Sequence, residues 1–528
     1  MKRTLTLTAV GALALALAAC SSGGSGATNG QTFANGKTFT MVLGTDPGTL
    51  DPDFTAIASA GQVDRFLYDS LLNVDFSGTV SSGLAEKWEG TTTTATYTLR
   101  KNVTCADGSK LTASVVADNI NFVGDPKNAS TAMGLYVPPG TTAKGDDAAG
   151  TVTVTAAAPD PFLSRNVGGL AIVCDKGMKD RTQLKTGSVG TGMFTLTEAV
   201  ASDHYTLTRR KDYAWGPGDF KADQAGLPDK VVIRIVGNES TAANLLISKE
   251  VNAATIVGPD RTRLQAQKLF SREVTAPLGE LWFNQKAGQP GSDEAVRRAL
   301  TQALDLTQLG QVLSSGSGKP TTGLVAPGGP CSQNTVGSNL PAHNADAAKS
   351  GLDAAGWTAG ADGARAKAGQ KLSIAIFYPT SIGPGTQAAA ELAQKVWQGV
   401  GAEVTLRAVS DAEVGSLIVG GQGSWSVTLL PLTVNLPTQL VPFLSGPSAP
   451  NGANFSSINN PGYSTNVAAA SALVGSDGCA KWAAAEESLF QHVDLVPFVN
   501  STVPIFGQGA NFELNQNGVA PTSIRMLA

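Results

Sequence analysis

The stretch from Lys230 to Val257 admits few folds. Lys230–Val236 (KVVIRIV) reads as an apolar strand, Ser240–Lys249 as a helix with Ser240 as its N-cap, and Ala253–Val257 as a second strand. A β-α-β run within about thirty residues implies parallel strands joined by a crossover helix, and hence a sheet covered by helices. The second half of the chain repeats the alternation. Helices are expected at Asp293–Leu304 (capped by Asp293 or Ser292), Ala345–Gly356, Gln387–Val400, Ala412–Val419 and Ala480–Gln491. Strands are expected at Leu281–Asn284, Leu372–Tyr378, Val404–Ala408, Ser424–Leu430 and Asp494–Val499. This order predicts an open, doubly wound α/β sheet whose ligands bind outside the strand ends. No repeat of fixed period is visible, which excludes a solenoid.

The first half adds strands at Lys37–Leu43, Ala95–Leu99 and Thr151–Ala156, and helices at Gln62–Leu72 and Ser114–Phe122. Between them and the β-α-β run lies Gly187–Arg210, a glycine loop leading into a predicted hairpin. Its strands are Phe194–Leu196 and His204–Arg209, joined by a polar turn at Ala201–Asp203. At 528 residues the chain is too long for one core and implies two or three domains. With 38 basic against 42 acidic residues it lacks the basic footprint of a nucleic-acid binder.

The N-terminus reads as an export signal. Lys2 and Arg3 precede the short apolar run Leu5–Ala18, which is too short for a stable membrane span. The run ends in Leu17-Ala18-Ala19-Cys20, which resembles a bacterial lipobox, so residues 1–20 are read as a lipoprotein signal with Cys20 as the lipidated residue. Residues 21–30 (SSGGSGATNG) suit a flexible tether. The expected location is outside the cytoplasm, lipid-anchored to the outer face of the cytoplasmic membrane or in the periplasm. Four cysteines remain, Cys105, Cys174, Cys331 and Cys479. An even number in an exported chain implies two disulfides, with three possible connectivities.

Catalytic chemistry is hard to assemble. His204, His343 and His492 are the only histidines, and none stands beside a nucleophile motif. Gly316-Ser317-Gly318-Lys319 resembles a phosphate loop, but Pro320 occupies the position that needs Ser or Thr. Asp51 and Asp53 lie in a Gly/Pro loop where acids commonly form turns. No CxxC spacing exists to hold a metal. Neither an enzyme nor a cofactor is expected.

Six blocks, taken in order, resemble the family 5 bacterial extracellular solute-binding proteins, the peptide- and nickel-binding receptors of ABC importers. Thr49-Leu50-Asp51-Pro52 matches an early Leu-Asp-Pro. Leu84–Glu89, Tyr97–Lys101 and Asp107–Thr112 match a long signature. Gly190–Phe194 with Tyr205–Asp212, then Thr241–Asn252, Asp293–Leu304 and Ala347–Trp357 supply the rest. In the fourth block Lys249 and Asn252 replace the usual Gly and Asp.

The resemblance implies a two-lobed, periplasmic-binding-protein-like α/β fold of type II, with an extra domain inserted in the first lobe. Lobe one is expected at 31–80, 190–290 and 500–528, the insert at 81–189 and lobe two at 291–499. The cysteines then pair within these units, Cys105 with Cys174 and Cys331 with Cys479. The implied function is capture of peptides or peptide-like compounds by lobe closure, and delivery to membrane permease subunits by a monomeric receptor. The other readings are an oligosaccharide or opine-like ligand, and a chaperone-like lipoprotein.

Candidate ligand contacts are Thr45, Asp46, Trp282, Phe283, Asn284, Trp425, Asn454 and Phe455. Tryptophan beside asparagine suits a cleft floor that stacks and orients a ligand, whereas Trp88, Trp357 and Trp397 are assigned to packing. One departure stands out. Peptide-binding members of the family often follow this tryptophan with an acid that pairs with the peptide amino group. Here Trp425 is followed by Ser426-Val427-Thr428-Leu429-Leu430, with no acid.

Overall fold

The computed structural model of the chain describes residues 32–55, 58–75, 78–184, 189–218, 220–410, 413–515 and 518–528. The export signal, Cys20, the tether and the start of the glycine loop lie outside the described residues. Among the described residues no helix is long and apolar enough to cross a membrane.

The molecule is two-lobed and is built on one mixed sheet of ten strands. Phe270–Phe283 and Leu495–Gly507 lie at its centre and pair antiparallel from Phe270↔Gly507 to Trp282↔Leu495. On the first-lobe side follow Ala253–Thr255, Thr38–Leu43, Lys230–Ile235 and the hairpin His204–Arg209 with Phe194–Val200. On the second-lobe side follow Val427–Leu429, Ser373–Pro379 and Glu403–Val409. Thr38–Leu43 runs parallel to both Lys230–Ile235 and Ala253–Thr255, as the β-α-β reading requires. The expectation of an open, doubly wound sheet holds within each side only. The two long antiparallel strands join the sides into one sheet.

These long strands differ most from expectation. Alternation marks only Leu281–Asn284 and Asp494–Val499, the halves buried in lobe two. The rest carries Arg272, Glu273, Pro277 and Pro504, which break an apolar pattern. The register shifts between Pro277 and Glu280, as at a β-bulge. Helix ends also move slightly. Asn238, not Ser240, caps Glu239–Ile247, accepting from the Thr241 N–H, whereas Asp293 caps Glu294–Ala303 through Ala295 as expected. Of the helix expected at Ala412–Val419, Ala412 lies outside the described residues and Val414–Val419 forms a π-helix.

A separate four-stranded antiparallel sheet, Ala85–Gly90, Thr94–Leu99, Thr151–Thr155 and Thr142–Asp146, packs on the helix Ala113–Gly124. Its core is continuous with that of the first-lobe sheet. Cys105 is joined to Cys174, and Cys331 to Cys479. With sequence separations of 69 and 148, each cross-link disfavours the unfolded chain by roughly 4–5 kcal/mol in chain-entropy terms.

The glycine loop has a packing role. A Cβ at Gly190 would meet the Leu67 carbonyl oxygen at 2.3 Å, and one at Gly192 would meet the Leu67 carbonyl carbon at 2.4 Å. The loop therefore crosses the end of the helix Ala58–Leu67 at a distance only glycine allows.

Two acids lie buried in lobe two. Glu280 accepts from the Trp282 indole N–H at 3.1 Å and from the Leu432 N–H at 3.0 Å. Glu486 accepts from the Thr335 hydroxyl at 2.6 Å and from the Leu324 N–H at 3.3 Å. Burial pushes Glu280 up to about 8 and Glu486 up to about 7, against the pull of those donors. The folded state thus holds these protons more tightly than the unfolded chain, where the value is near 4.5. Their contribution to stability is complete below that value and is lost as pH rises through 7 to 8. Glu280→Gln keeps an acceptor oxygen and removes the titration. Urea unfolding of the native chain should lose on the order of 3 kcal/mol between pH 5 and 8 from Glu280. The variant should lose much less, and an unchanged pH slope would show that Glu280 is not the source.

Candidate functional site

Two cavities meet where the lobes face one another. The larger has a volume of about 420 Å³, the smaller about 110 Å³. Val74, Leu135, Tyr136, Gly169 and Asn435 line both, so the cavities are continuous. Most of the larger cavity is lined by the helix Ala58–Leu67, Tyr68, Asp69, Tyr213 and Trp215 of lobe one, with Tyr136 from the segment expected as the insert. Asn435 approaches from lobe two. The smaller cavity runs between Arg165 on one side and Gly328, Leu436 and Gln439 on the other. Val274 and Thr275, on the first long strand, also line it.

The lobes touch at this opening. A Cβ added at Gly78 would lie 1.7 Å from the Gly328 carbonyl oxygen, so the two backbones are in contact. The Gly78 carbonyl in turn accepts from Arg165 Nη1 at 2.8 Å. A second bridge is a hydrogen bond from the Gly475 N–H to the Pro161 carbonyl at 2.8 Å.

The first-lobe wall is unusually charged for a buried surface. Asp69 accepts from the Trp215 indole N–H at 2.9 Å and from the Thr191 and Tyr213 hydroxyls, each at 3.1 Å. Burial raises its carboxyl to about 6 despite these three donors. The bonds fix Tyr213 and Trp215, whose ring centroids are 4.8 Å apart, as one aromatic wall.

Behind the wall, Arg181 bonds both Asp51 and Asp53, reaching Asp53 Oδ2 at 2.7 Å. The guanidinium also stacks over Phe122 at 4.4 Å and Phe54 at 5.4 Å. Asp51 and Asp53 are therefore an ion-pair anchor between the Leu-Asp-Pro loop and the segment carrying Arg181. Asp64, one turn before Tyr68, lines the cavity and is buried.

The residues singled out from sequence lie elsewhere. Trp282, Trp425 and Phe455 are brought together in a core cluster of lobe two, with Phe455 centroids 4.8 Å from Trp282 and 6.1 Å from Trp425. Asn284 Nδ2 donates to the Trp425 carbonyl at 2.9 Å. Asn454 clasps Ile458, donating to its carbonyl and accepting from its N–H, each at 2.9 Å. Phe283 faces the other lobe-two core. Asp46 accepts from the Ser202 N–H at 2.6 Å and from the Tyr205 hydroxyl at 3.0 Å, which pins the hairpin turn. The Thr45 hydroxyl bonds that of Ser59 at 3.3 Å. None of the eight lines either cavity.

Sequence reasoning passed over Asp64, Asp69, Tyr136, Trp215 and Asn435. The first two carried a usable signal, since acids fall among the apolar residues of the helix and of the segment just after it, QVDRFLYDSLL. Among the described residues no group of three or more His, Cys, Asp or Glu could hold a metal ion. His204 sits between Asp203 and Glu198, and His492 beside Glu294, both away from the cavities.

Comparison with known proteins places the chain. The profile described as "Bacterial extracellular solute-binding proteins, family 5 Middle" matches residues 79–451, well over half of the sequence. Protein XP55 of Streptomyces lividans is 28% identical over 390 residues, covering 70% of this chain and 66% of that protein. Oligopeptide-binding protein OppA of Bacillus subtilis is 26% identical over 354 residues, covering 62% and 64%. The chain thus spans slightly less than two thirds of the length of these curated relatives. A crystal structure of a substrate binding protein from Microbacterium hydrocarbonoxydans, complexed with 4-hydroxybenzoate hydrazide, superposes with a TM-score of 0.69. It is 24% identical, and the match covers 93% of this chain and all of that one.

Proposed function

The chain belongs to the family 5 bacterial extracellular solute-binding proteins, and from that premise we propose that it is the lipid-anchored, extracytoplasmic receptor of an ABC importer. It captures peptides or peptide-like compounds between its lobes and passes them to permease subunits in the membrane. It binds and releases without catalysing a reaction.

The observation that carries this reading is a cleft lined from both lobes, with Asp64, Asp69 and Trp215 on one side and Asn435 on the other. A ligand that fills it contacts both lobes at once and so favours the closed form. The volume of about 420 Å³ falls in the range of small-ligand sites. Similarity to a protein named for oligopeptide binding supports the peptide class. A second reading keeps the receptor role but assigns a small non-peptide ligand. It is favoured by the hydrazide bound to the Microbacterium protein and by the absence of an acid after Trp425.

Three experiments follow. Purified protein should be screened by thermal shift against short peptides and against aromatic hydrazides. A saturable, one-to-one rise in midpoint that follows mass action is expected for the peptides. Stabilisation by the hydrazides alone would transfer the assignment to the second reading, and turnover of a bound peptide would refute the receptor role.

Gly78→Val should hold the lobes apart at Gly328 and weaken affinity at least about tenfold. Small-angle scattering should show a larger radius with ligand than in the native protein. An unchanged affinity would mean that contact at Gly78 is not part of closure. Finally, Cys20→Ser should move the protein from the membrane fraction to the soluble fraction of cells, and membrane retention would refute the lipid anchor.

A further inference from the structure

The first-lobe wall contains a buried carboxylate without a partner. Asp64 is 7% exposed and lines the larger cavity, and no hydrogen-bond donor reaches its Oδ1. A buried carboxyl that lacks a hydrogen-bond donor is costly, and it is driven toward its neutral form. Burial is the main influence on this carboxyl and pushes it well above the usual range. Arg65 opposes that shift, while Asp51 and Asp53 add to it.

No neighbouring group neutralises Asp64 by direct contact. Arg181 is engaged with Asp51 and Asp53. Asp69 already has three donors of its own. Arg65 donates to the Gly61 carbonyl at 2.8 Å, and its guanidinium lies beside Gly518. The Tyr68 hydroxyl donates to the Leu50 carbonyl at 3.0 Å. A second unpaired acceptor lines the same cavity, Oδ1 of Asn515. Arg65, Asp69 and the rings of Tyr136 and Trp215 are among the other lining residues. Buried acceptors facing an aromatic-walled cavity call for a donor that carries positive charge.

We propose that this cavity binds a cationic nitrogen of the ligand, with Asp64 as its counter-ion and Asn515 as a second acceptor. The proposal rests on the receptor reading above and narrows its ligand class to compounds bearing a charged amine or guanidine. The nitrogen is either the free amino end of a peptide or a basic side chain.

Three peptide sets separate the possibilities. One holds di- to pentapeptides with free amino ends and no Lys or Arg. The second holds the same peptides N-acetylated. The third holds N-acetylated peptides with one Lys or Arg. Each is titrated calorimetrically into the native protein, Asp64→Asn and Asn515→Ala. The first or third set should bind the native protein, and the second should bind far more weakly.

Asp64→Asn should weaken the cationic set about 30-fold or more, and Asn515→Ala should weaken it less. The ligand-free melting temperature of Asp64→Asn should stay close to that of the native protein, since the amide has the shape of the carboxyl it replaces and no protein donor is lost at Oδ1. Lost affinity then cannot be ascribed to unfolding, and Asn515→Ala gives an independent measure at the same site. If Asp64→Asn binds the cationic set within threefold of native, the counter-ion proposal fails while the receptor reading stands. Preference of the native protein for the second set also overturns it. If no set binds, the peptide-receptor reading fails with it.

Discussion

The antiparallel pairing of Phe270–Phe283 with Leu495–Gly507 is the constraint on which the rest of the structure depends. One end of the pair lies in the lobe-two sheet beside Val427–Leu429, and the other joins the first-lobe sheet through Ala253–Thr255. A sheet that passes unbroken between lobes transmits position well but tolerates bending and twisting at a weak point. Here that point is marked by the register shift near Gly279. Val274 and Thr275, a few residues away, line the smaller cavity. The element that joins the lobes is therefore also part of the cleft wall, which couples the angle between lobes to the shape of the space between them.

Charge burial follows from this arrangement. Asp64 and Asp69 line the larger cavity, and Asp51 and Asp53 lie behind them on Arg181. Arg181 holds Asp51 and one oxygen of Asp53, whose Oδ1 has no donor, and a Trp-Thr-Tyr set of donors holds Asp69. Such pairs contribute little net stability once desolvation is counted, but they fix geometry. Arg181 ties the Leu-Asp-Pro loop to the covalently closed Cys105–Cys174 region, and Asp69 orients the aromatic wall. The polar groups that shape the cleft are thus mostly committed to the protein itself.

Much of the fold was legible in sequence, because short strands and capped helices carry their periodicity locally. Lys230–Ile235 and Asn238 with its helix illustrate this. The long strands were not fully legible, because their central residues are only partly buried and prolines fall at positions where the register is irregular. The site was less legible still. Tryptophan, phenylalanine and asparagine around Trp425 have the composition of a ligand floor, yet here they form a packed lobe-two core. Composition cannot separate the two, since both uses need large rings with satisfied amides. What sets Asp64 apart is that it lines the larger cavity with an oxygen no donor reaches, and neither fact can be read from composition.

The missing acid after Trp425 then takes on a different meaning. A lobe-two carboxylate meets a ligand only as the lobes close. A lobe-one carboxylate on the helix Ala58–Leu67 is in place beforehand, on the lobe that supplies most of the larger cavity. On the proposed reading the charged end of the ligand docks to lobe one, and lobe two closes over it with uncharged groups, Asn435 and the backbone at Gly328. Closure then buries an ion pair already formed. It need not bring two separately solvated charges together, so little desolvation remains for the closing step. The cost falls instead on the empty receptor, in which no donor reaches Asp64 Oδ1. A ligand that supplies that donor and also meets Asn435 and the Gly328 backbone has differential affinity for the closed state, which any closure mechanism requires.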